Sequence, residues 1–485
     1  MRETTMSGGT RIGTTVDLLR AVADAEGDRD AFVEPARRIT FGGWDRAADG
    51  LAAWWADAGV GPGDVVALML PSSIDYAVCY QAAMRLRAIT TGINTRLGPV
   101  EVASILERTS PRVIVRAEDL DVVREAYAFD PPVKMPRVRP DDAVAIVWTS
   151  GTTGMPKGAV FDHDNLAAVA IGAGELGERF DRRLSPLPFA HVAFMSRPWE
   201  EIEKVITTVI PSTPWNARDT LQLMERERVT VGQGVPTQWR LVLDHPAFEA
   251  TDLSSLRIAG TGAAMVPPDL VREMERRLGC PVVIGYTSTE AAITTGTAPG
   301  DSPEVIARTV GRARVNVELE VVDDEGRSCP VGDVGRVRCR SGAVMREYWG
   351  DPLRTAEVLD EHGWLSTGDA GALDERGYLT LVGRKSDMYI RGGYNVYPAE
   401  VERVLSEHPS VAQVALVGIP DRVLGEIGLA FVVPAGEARP DLDVLRAHCR
   451  AALADYKAPD RLEIIDALPL TSVGKVDKRA LLGGR

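Results

Sequence analysis

The chain is poor in several things, and each scarcity closes off a class of function. Its 485 residues hold only five cysteines, Cys79, Cys280, Cys329, Cys339 and Cys449, widely scattered and without a C-x-x-C pair. Neither a zinc ribbon nor a dithiol redox site can be read from them, and a reduced, intracellular setting is the expectation. Basic residues are outnumbered, 55 Lys and Arg against 69 Asp and Glu, for a formal charge of −14. That balance argues against nucleic acid or an anionic membrane surface as the main partner, so an anionic ligand would need a locally basic site. No apolar run approaches the roughly 20 residues of a membrane span, and the start "MRETTMSGGTRIG" lacks the apolar core of a signal peptide. The expected chain is soluble and cytoplasmic. Low-complexity blocks and internal repeats are absent, as is any G-x-x-x-x-G-K-[ST] loop, which sets aside an ordinary P-loop NTPase.

What is present points to layered α/β structure. "TTVDLLRAVADAE" and "GGWDRAADGLAAWWADAG" carry apolar residues at helical spacing, whereas "DVVALML" and "RVIVR" are short runs of the kind buried in parallel sheets. The rhythm continues through "AVAIVWTS", "RVTVGQGVP", "SLRIAGTG" and "CPVVIGYTS", each ending in small or hydroxyl residues. Strand ends of that kind are where open α/β sheets take ligands. From about Val310 the texture changes to alternating strands broken by Gly, Asp and Pro, "VELEVVDDEGRSCPVGDVGRVRCRS", which predicts an antiparallel or barrel-like unit. Beyond "LVGRKSDMYIRGGYN" a capped helix, "YPAEVERVLSEHP", opens a small α+β unit of about a hundred residues.

The most informative loop is "WTSGTTGMPKGAV", Trp148 to Val160. Glycines let backbone N–H groups approach an anion, hydroxyls add donors and Lys157 adds a point charge, a combination that favours phosphate. A plain Gly/Ser turn is the alternative on loop chemistry alone. The decapeptide Thr149-Ser150-Gly151-Thr152-Thr153-Gly154-Met155-Pro156-Lys157-Gly158 resembles the signature of the adenylate-forming superfamily of acyl-CoA synthetases, peptide-synthetase adenylation domains and beetle luciferases. Further motifs of that superfamily follow in order from about Thr40 to Leu482.

The resemblance implies a division into an adenylate-forming domain at 1–385 and a small mobile α+β domain at 386–485. It also implies a set of roles. The loop, through Thr149, Ser150, Gly151, Thr152, Thr153, Gly154 and Lys157, would grip the β- and γ-phosphates of ATP. "GYTSTE", Gly285 to Glu290, is similar to the family's G-Y-G-x-T-E. Tyr286 would stack on adenine, Thr289 would bond the phosphate and Glu290 would help hold Mg²⁺, a cation suited to carboxylate oxygen. A first-turn position in a following helix is the structural alternative for Glu290. "STGD", Ser366 to Asp369, resembles the ribose clamp. Asp369 would accept both hydroxyls and Arg384 would reach the same sugar, with Gly262 and Ala263 beside the nucleotide. Ser386 stands where the family usually has an Asp or Lys hinge. Lys475, in "PLTSVGKVDKRALL", would be the mobile catalytic lysine, supplying positive charge where negative charge gathers; as a bare residue it reads as a solvated surface lysine.

For the acyl pocket the resemblance offers His191, Val192, Trp239 and Gly260, with Ala193, Met195 and Trp199 adding bulk, and so a compact aryl, alicyclic or medium-chain acid. A satisfied core histidine is the alternative for His191. "RGGYN" resembles the pantetheine tunnel, which places Gly392, Gly393 and Tyr394 along CoA. The implied reaction is adenylation of a carboxylic acid by ATP, release of pyrophosphate, and transfer of the acyl group to CoA. Two alternatives stay open: an unusual acid, even nitrite, passed to an amine or other acceptor, and a catalytically silent nucleotide-binding homologue. The expected partner is a small acid, with no nucleic acid and no membrane span; a homodimer is left open.

Overall fold

The computed structural model describes residues 13–130, 134–149, 156–262, 266–384, 387–392, 394–471 and 476–483. The expected α/β layering is found. Two large sheets dominate. In the six-stranded sheet the strands run Glu347–Tyr348, Gly158–Asp162, Ala143–Trp148, Ile89–Gly92, Val65–Met69 and Val113–Arg116. The four from Ala143 onward in that order pair parallel. Val65–Leu68 and Val144–Trp148 are buried on both faces, which is why their sequences are continuous apolar runs.

The second, nine-stranded sheet has a parallel centre. Val282–Tyr286, Ile258–Gly262, Val231–Gln233, Arg182–Leu184, Thr207–Val209 and Asp30–Val33 lie side by side there. Helices fill the space around the sheets. Helix Phe41–Asp57 buries Phe41, Trp44, Ala48, Leu51, Ala52 and Trp55, the helical spacing read from the sequence, and Thr40 caps its N-terminus by accepting from Gly43 N–H at 3.1 Å. Helix Ile74–Arg85 is buried on every side, with Ser73 as its cap. One core joins these helices to Phe32, Phe189 and Phe194; a separate core around Trp239, Met224 and Met274 lies under the nine-stranded sheet.

The antiparallel, barrel-like unit expected after Val310 is a four-stranded antiparallel sheet of Glu318–Val322, Gly335–Arg340, Leu365–Leu373 and Leu379–Arg384. The last two are joined by a tight turn in which Asp374 Oδ1 accepts from the N–H groups of Arg376 (2.9 Å) and Tyr378 (2.8 Å). Gly377 takes the left-handed φ of +80° that this turn needs. The C-terminal sheet orders Tyr394–Val396, Tyr389–Arg391, Gly425–Pro434 and Val411–Asp421, with Arg461–Ile464 parallel on Gly425–Pro434. Helices Pro398–Ser406 and Leu442–Ala452 share its core. Among the described residues no helix is long and apolar enough to cross a membrane.

Candidate active site

The glycine-rich loop sits in a setting unlike that of a strand-to-helix crossover. Strands Ala143–Trp148 and Gly158–Asp162 are antiparallel neighbours, so the loop is the connection of a hairpin. Its ends are tied together: Thr149 N–H donates to Lys157 C=O at 2.8 Å, and Lys157 N–H donates to Thr149 Oγ1 at 3.2 Å. Arg108 braces the exit, donating to Pro156 C=O at 2.6 Å while lying 5.0 Å from the centre of the Trp148 ring. The flanking residues Thr149 and Lys157 are thus fixed on a buried sheet. Ser150, Gly151, Thr152, Thr153 and Gly154, like Ala263, Ser386, Gly393 and Lys475, lie outside the described residues.

Lys157 points its ammonium at the ring of Tyr348, 4.6 Å from the centroid. The Tyr348 hydroxyl donates to Glu290 Oε1 at 2.7 Å, and the Glu290 carbonyl accepts from Met345 N–H at 2.7 Å. One cation and one carboxylate from distant parts of the chain are therefore gathered around one phenol. Tyr348 belongs to the short edge strand that extends the hairpin sheet. It was not singled out from the sequence, where the available signal was a Tyr-Trp pair ahead of the Asp351-capped helix Pro352–Val358. Glu290 does not begin a helix: Thr289 and Glu290 lie in a half-buried turn after strand Val282–Tyr286, shaped by Ser288 Oγ accepting from Ala291 N–H at 3.0 Å.

The second cluster is set by sheet register. Asp369 and Arg384 are direct cross-strand partners, and Arg384 Nε stands 3.3 Å from Asp369 Oδ1. The other carboxylate oxygen accepts from the Tyr286 hydroxyl. Tyr286 packs among Val321, Val337 and Leu379, and so joins the end of the nine-stranded sheet to the four-stranded one. Burial, with the Asp369 carboxylate beside it, pushes the Tyr286 hydroxyl well above its ordinary range. It stays a proton donor at neutral pH. Asp369 itself is 8% exposed, a nearly enclosed double acceptor.

The acyl-side candidates separate onto two faces. His191 caps the short helix Val192–Met195, its Nδ1 accepting from Ala193 N–H at 3.3 Å, and Val192 is buried beside it. Met195 and Trp199 are buried in the main core, Met195 against Tyr76 and Gly92. Trp239 does not join them. It fills the space under Gly232 and Gly234, donates from Nε1 to Gly260 C=O at 3.1 Å, and belongs to the core on the opposite side of the nine-stranded sheet. Gly232 leaves a slot on that far side which the indole occupies.

On the near face the sheet ends in bare backbone. Gly260 aligns with Val283, and Gly262 with Gly285, so in parallel pairing these glycines share one face. A side chain added at Gly285 would meet nothing within 4 Å, and one at Gly260 only its sheet neighbours. In the C-terminal part, Gly392 takes φ +56° and Tyr394 stacks on Tyr456 with ring centres 4.5 Å apart. The cysteines offer no activated thiol: burial pushes Cys280 and Cys449 up to about 11.

Comparison with known proteins agrees with this geometry. The profile of the AMP-binding enzyme family matches residues 19–349, and that of the AMP-binding enzyme C-terminal domain matches residues 400–475. The chain is 34% identical to a 3-[(3aS,4S,7aS)-7a-methyl-1,5-dioxo-octahydro-1H-inden-4-yl]propanoyl:CoA ligase of Rhodococcus jostii (strain RHA1), over 96% of this chain and 98% of the relative. It is 36% identical to a feruloyl-CoA synthase of an Amycolatopsis species over 92% of each chain. Among solved structures, the amide bond synthetase McbA from Marinactinospora thermotolerans superposes with a TM-score of 0.87 at 30% identity, over 97% of this chain and 99% of that one.

Proposed function

The chain belongs to the family of AMP-binding enzymes, and from that premise we infer that it is an acyl-CoA synthetase. It activates a carboxylic acid with ATP to an acyl adenylate, releases pyrophosphate, and transfers the acyl group to the thiol of CoA. The observation that carries the reading is the gathering of Lys157, Tyr348 and Glu290 in one cluster and of Tyr286, Asp369 and Arg384 in another, with Tyr286 and Glu290 joined by one short stretch of chain.

The second cluster suits a nucleoside. Asp369 presents two acceptor oxygens to vicinal hydroxyls, and Tyr286 and Arg384 hold that carboxylate in place. At the first cluster Lys157 supplies positive charge toward the phosphates, with Thr149 and the loop through Gly154 as further donors. Thr289 lies beside Glu290 on the same turn and would donate to the phosphate. A magnesium ion fits this donor set. Among the described residues no group of three or more metal-binding side chains is found, so the cation would rest on Glu290 together with phosphate oxygens and water, as Mg²⁺ commonly does. When bound, it would offset the charge that builds on departing pyrophosphate.

Residues 386–485 are assigned the mobile role. Lys475 would neutralise the carboxylate and α-phosphate during adenylation. Rotation about Ser386 would then bring Gly392, Gly393 and Tyr394 toward the thiol's path. Gly262 and Ala263 are assigned to the nucleotide, and His191 and the glycine floor of Gly260, Gly262 and Gly285 to the acyl group. A compact ring acid suits such a floor, and the relatives' bicyclic dione propanoate and ferulate are of that kind. The fold likeness to an amide bond synthetase supports one second reading, transfer of the acyl group to an amine.

The test is pyrophosphate release with ATP and Mg²⁺ over aryl, alicyclic, short and long acids plus nitrite, each with CoA, with a primary amine, or with neither. Thioester formation from a ring acid upholds the proposal. An amide product with no effect of CoA replaces it with the amine reading, and no release with any acid refutes adenylation.

A further inference from the structure

One polar side chain stands at the glycine floor without a role in the machinery described so far. The parallel register pairs Gln233 with Gly260 and Gly260 with Val283, so the three form one row across the nine-stranded sheet. Side chains alternate along a strand. Gly232 is packed by Trp239 on the far side, so Gln233 faces the near side, where Gly260, Gly262 and Gly285 leave the backbone bare. Among the described residues only Gln233 Cγ, at 3.9 Å, and the Gly232 carbonyl, at 3.7 Å, approach the point that a Gly260 Cβ would occupy, and nothing comes within 4 Å of the same point at Gly285. Gln233 thus leans toward Gly260 and borders the open space over the strand ends.

The row beneath is of another character. Val231 and Ile258 pair there, and with Val283 they form an apolar cluster packed by Leu176. Arg183, opposite Val231, is held by Glu200 in two bonds of 2.8 and 3.0 Å. Gln233 differs from all of these. It is half-buried, and its carboxamide makes no hydrogen bond to any described residue. The nearby Gln238 is used within the fold, its Oε1 accepting from Val235 N–H at 3.0 Å. A free carboxamide brings two donors and a carbonyl acceptor to a space that its row neighbours leave open. Covered by a purely apolar ligand, those groups would lose water and gain no partner.

We propose that Gln233 is a specificity-determining residue, and that the preferred ring acid carries a neutral oxygen substituent, a hydroxyl or a keto group, which the Gln233 carboxamide binds. The proposal rests on the ligase reading above and narrows its substrate class. The amide meets a hydroxyl through its carbonyl and a ketone through its NH₂. A charged substituent would find no cation in these two rows other than Arg183, which Glu200 already engages. An unsubstituted hydrocarbon ring displaces water from the amide without replacing its hydrogen bonds, and so is disfavoured.

The experiment uses matched acids: cinnamate with its 3-hydroxy and 4-hydroxy analogues, and 3-cyclohexylpropanoate with its 4-hydroxy and 4-oxo analogues. Wild type, Gln233→Leu and Gln233→Glu are compared by kcat/KM for pyrophosphate release and, separately, by calorimetric binding of each acid; melting curves confirm that each variant is folded. In wild type at least one oxygenated acid should exceed its parent by about three- to ten-fold, the scale of one neutral hydrogen bond. Gln233→Leu, of similar shape, should level or reverse that ratio, chiefly through KM, by improving the parent and weakening the oxygenated acid; a merely structural residue would lower both together. Gln233→Glu keeps acceptors and loses the donors, so a preference for a hydroxyl should persist and one for a ketone should vanish. A preference that survives in Gln233→Leu, or equal use of every matched set by wild type, overturns the proposal and leaves the ligase reading standing. Gln233-dependent binding of an oxygenated acid without pyrophosphate release upholds it and refutes the ligase reading instead. If no acid of either set binds or releases pyrophosphate, the proposal falls, because it places oxygenated ring acids among the substrates.

Discussion

Asp369→Asn is the substitution that most directly tests the nucleoside site. The change keeps the shape of the side chain but replaces one acceptor oxygen by a donating NH₂ group and removes the charge. In the free protein one carboxylate oxygen is engaged by the Tyr286 hydroxyl and the other by Arg384 at 3.3 Å. Arg384 is 45% exposed on its side chain, so its ion pair adds little; the Tyr286 bond is enclosed and matters more. With ATP present, two ribose hydroxyls would also point at this group, and the amide can accept from one side only. Losing one hydrogen bond to a charged, enclosed acceptor costs about 1.5–3 kcal/mol, or roughly ten- to 150-fold in affinity. KM for ATP should rise by about that factor in a pyrophosphate-release assay at saturating acid, while KM for the acid moves far less. Tyr286→Phe, which removes a donor and leaves the carboxylate intact, should raise KM for ATP by a smaller factor. If folded Asp369→Asn keeps KM for ATP within about two-fold of wild type, Asp369 is not the ribose acceptor and the clamp is structural only.

Further outcomes are expected elsewhere. Tyr348→Phe removes the 2.7 Å bond that orients Glu290; a Mg²⁺ titration of pyrophosphate release should then require several-fold more cation, and an unchanged titration would detach Glu290 from metal binding. Lys475→Ala should nearly abolish adenylate formation yet spare thioester formation from preformed acyl adenylate; equal loss in both half-reactions would remove its mobile role. Glu201, raised by burial to about 7 from an ordinary 4.5, holds its proton in the folded state over a range where the unfolded chain has lost it. Stability from this group is therefore full at low pH and lost as pH rises from about 4.5 to about 7. Glu201→Gln should flatten that slope and melt higher than wild type at pH 8; parallel melting curves from pH 5 to 8 would contradict it.

Much of this was readable because local and tertiary demands coincide in the chain. The buried parallel strands at Val65–Met69, Ile258–Gly262 and Val282–Tyr286 are continuous apolar or small-residue runs, and Phe41–Asp57 carries its core at helical spacing. What escaped depends on pairing over long range. A serine- and glycine-rich segment looks the same whether it opens into a crossover or turns back on itself, and only the antiparallel register of Gly158–Asp162 settles which. Tyr348 meets Glu290 across a sequence separation of 58 residues, with no local pattern to announce it. The resemblance offers Trp239 for the acyl side, but no local pattern tells which face of a sheet a helix covers; the space left at Gly232 shows where the indole packs.

The turn at Asp374–Tyr378 carries a consequence beyond its own geometry. Asp369 faces Arg384 because the two strands leave this turn in a fixed alignment, which a one-residue bulge at Val382 then shifts before the pair is reached. Side chains alternate along a strand, so a slip of one residue would carry Arg384 to the reverse side of the sheet while leaving every ligand-facing residue in the sequence. Glu375 and Arg376, exposed at the tip, are thus free to vary in kind but not in number. The length of a solvent-facing turn that touches no substrate is part of what specifies the nucleotide site, and a deletion there would be read as a binding defect.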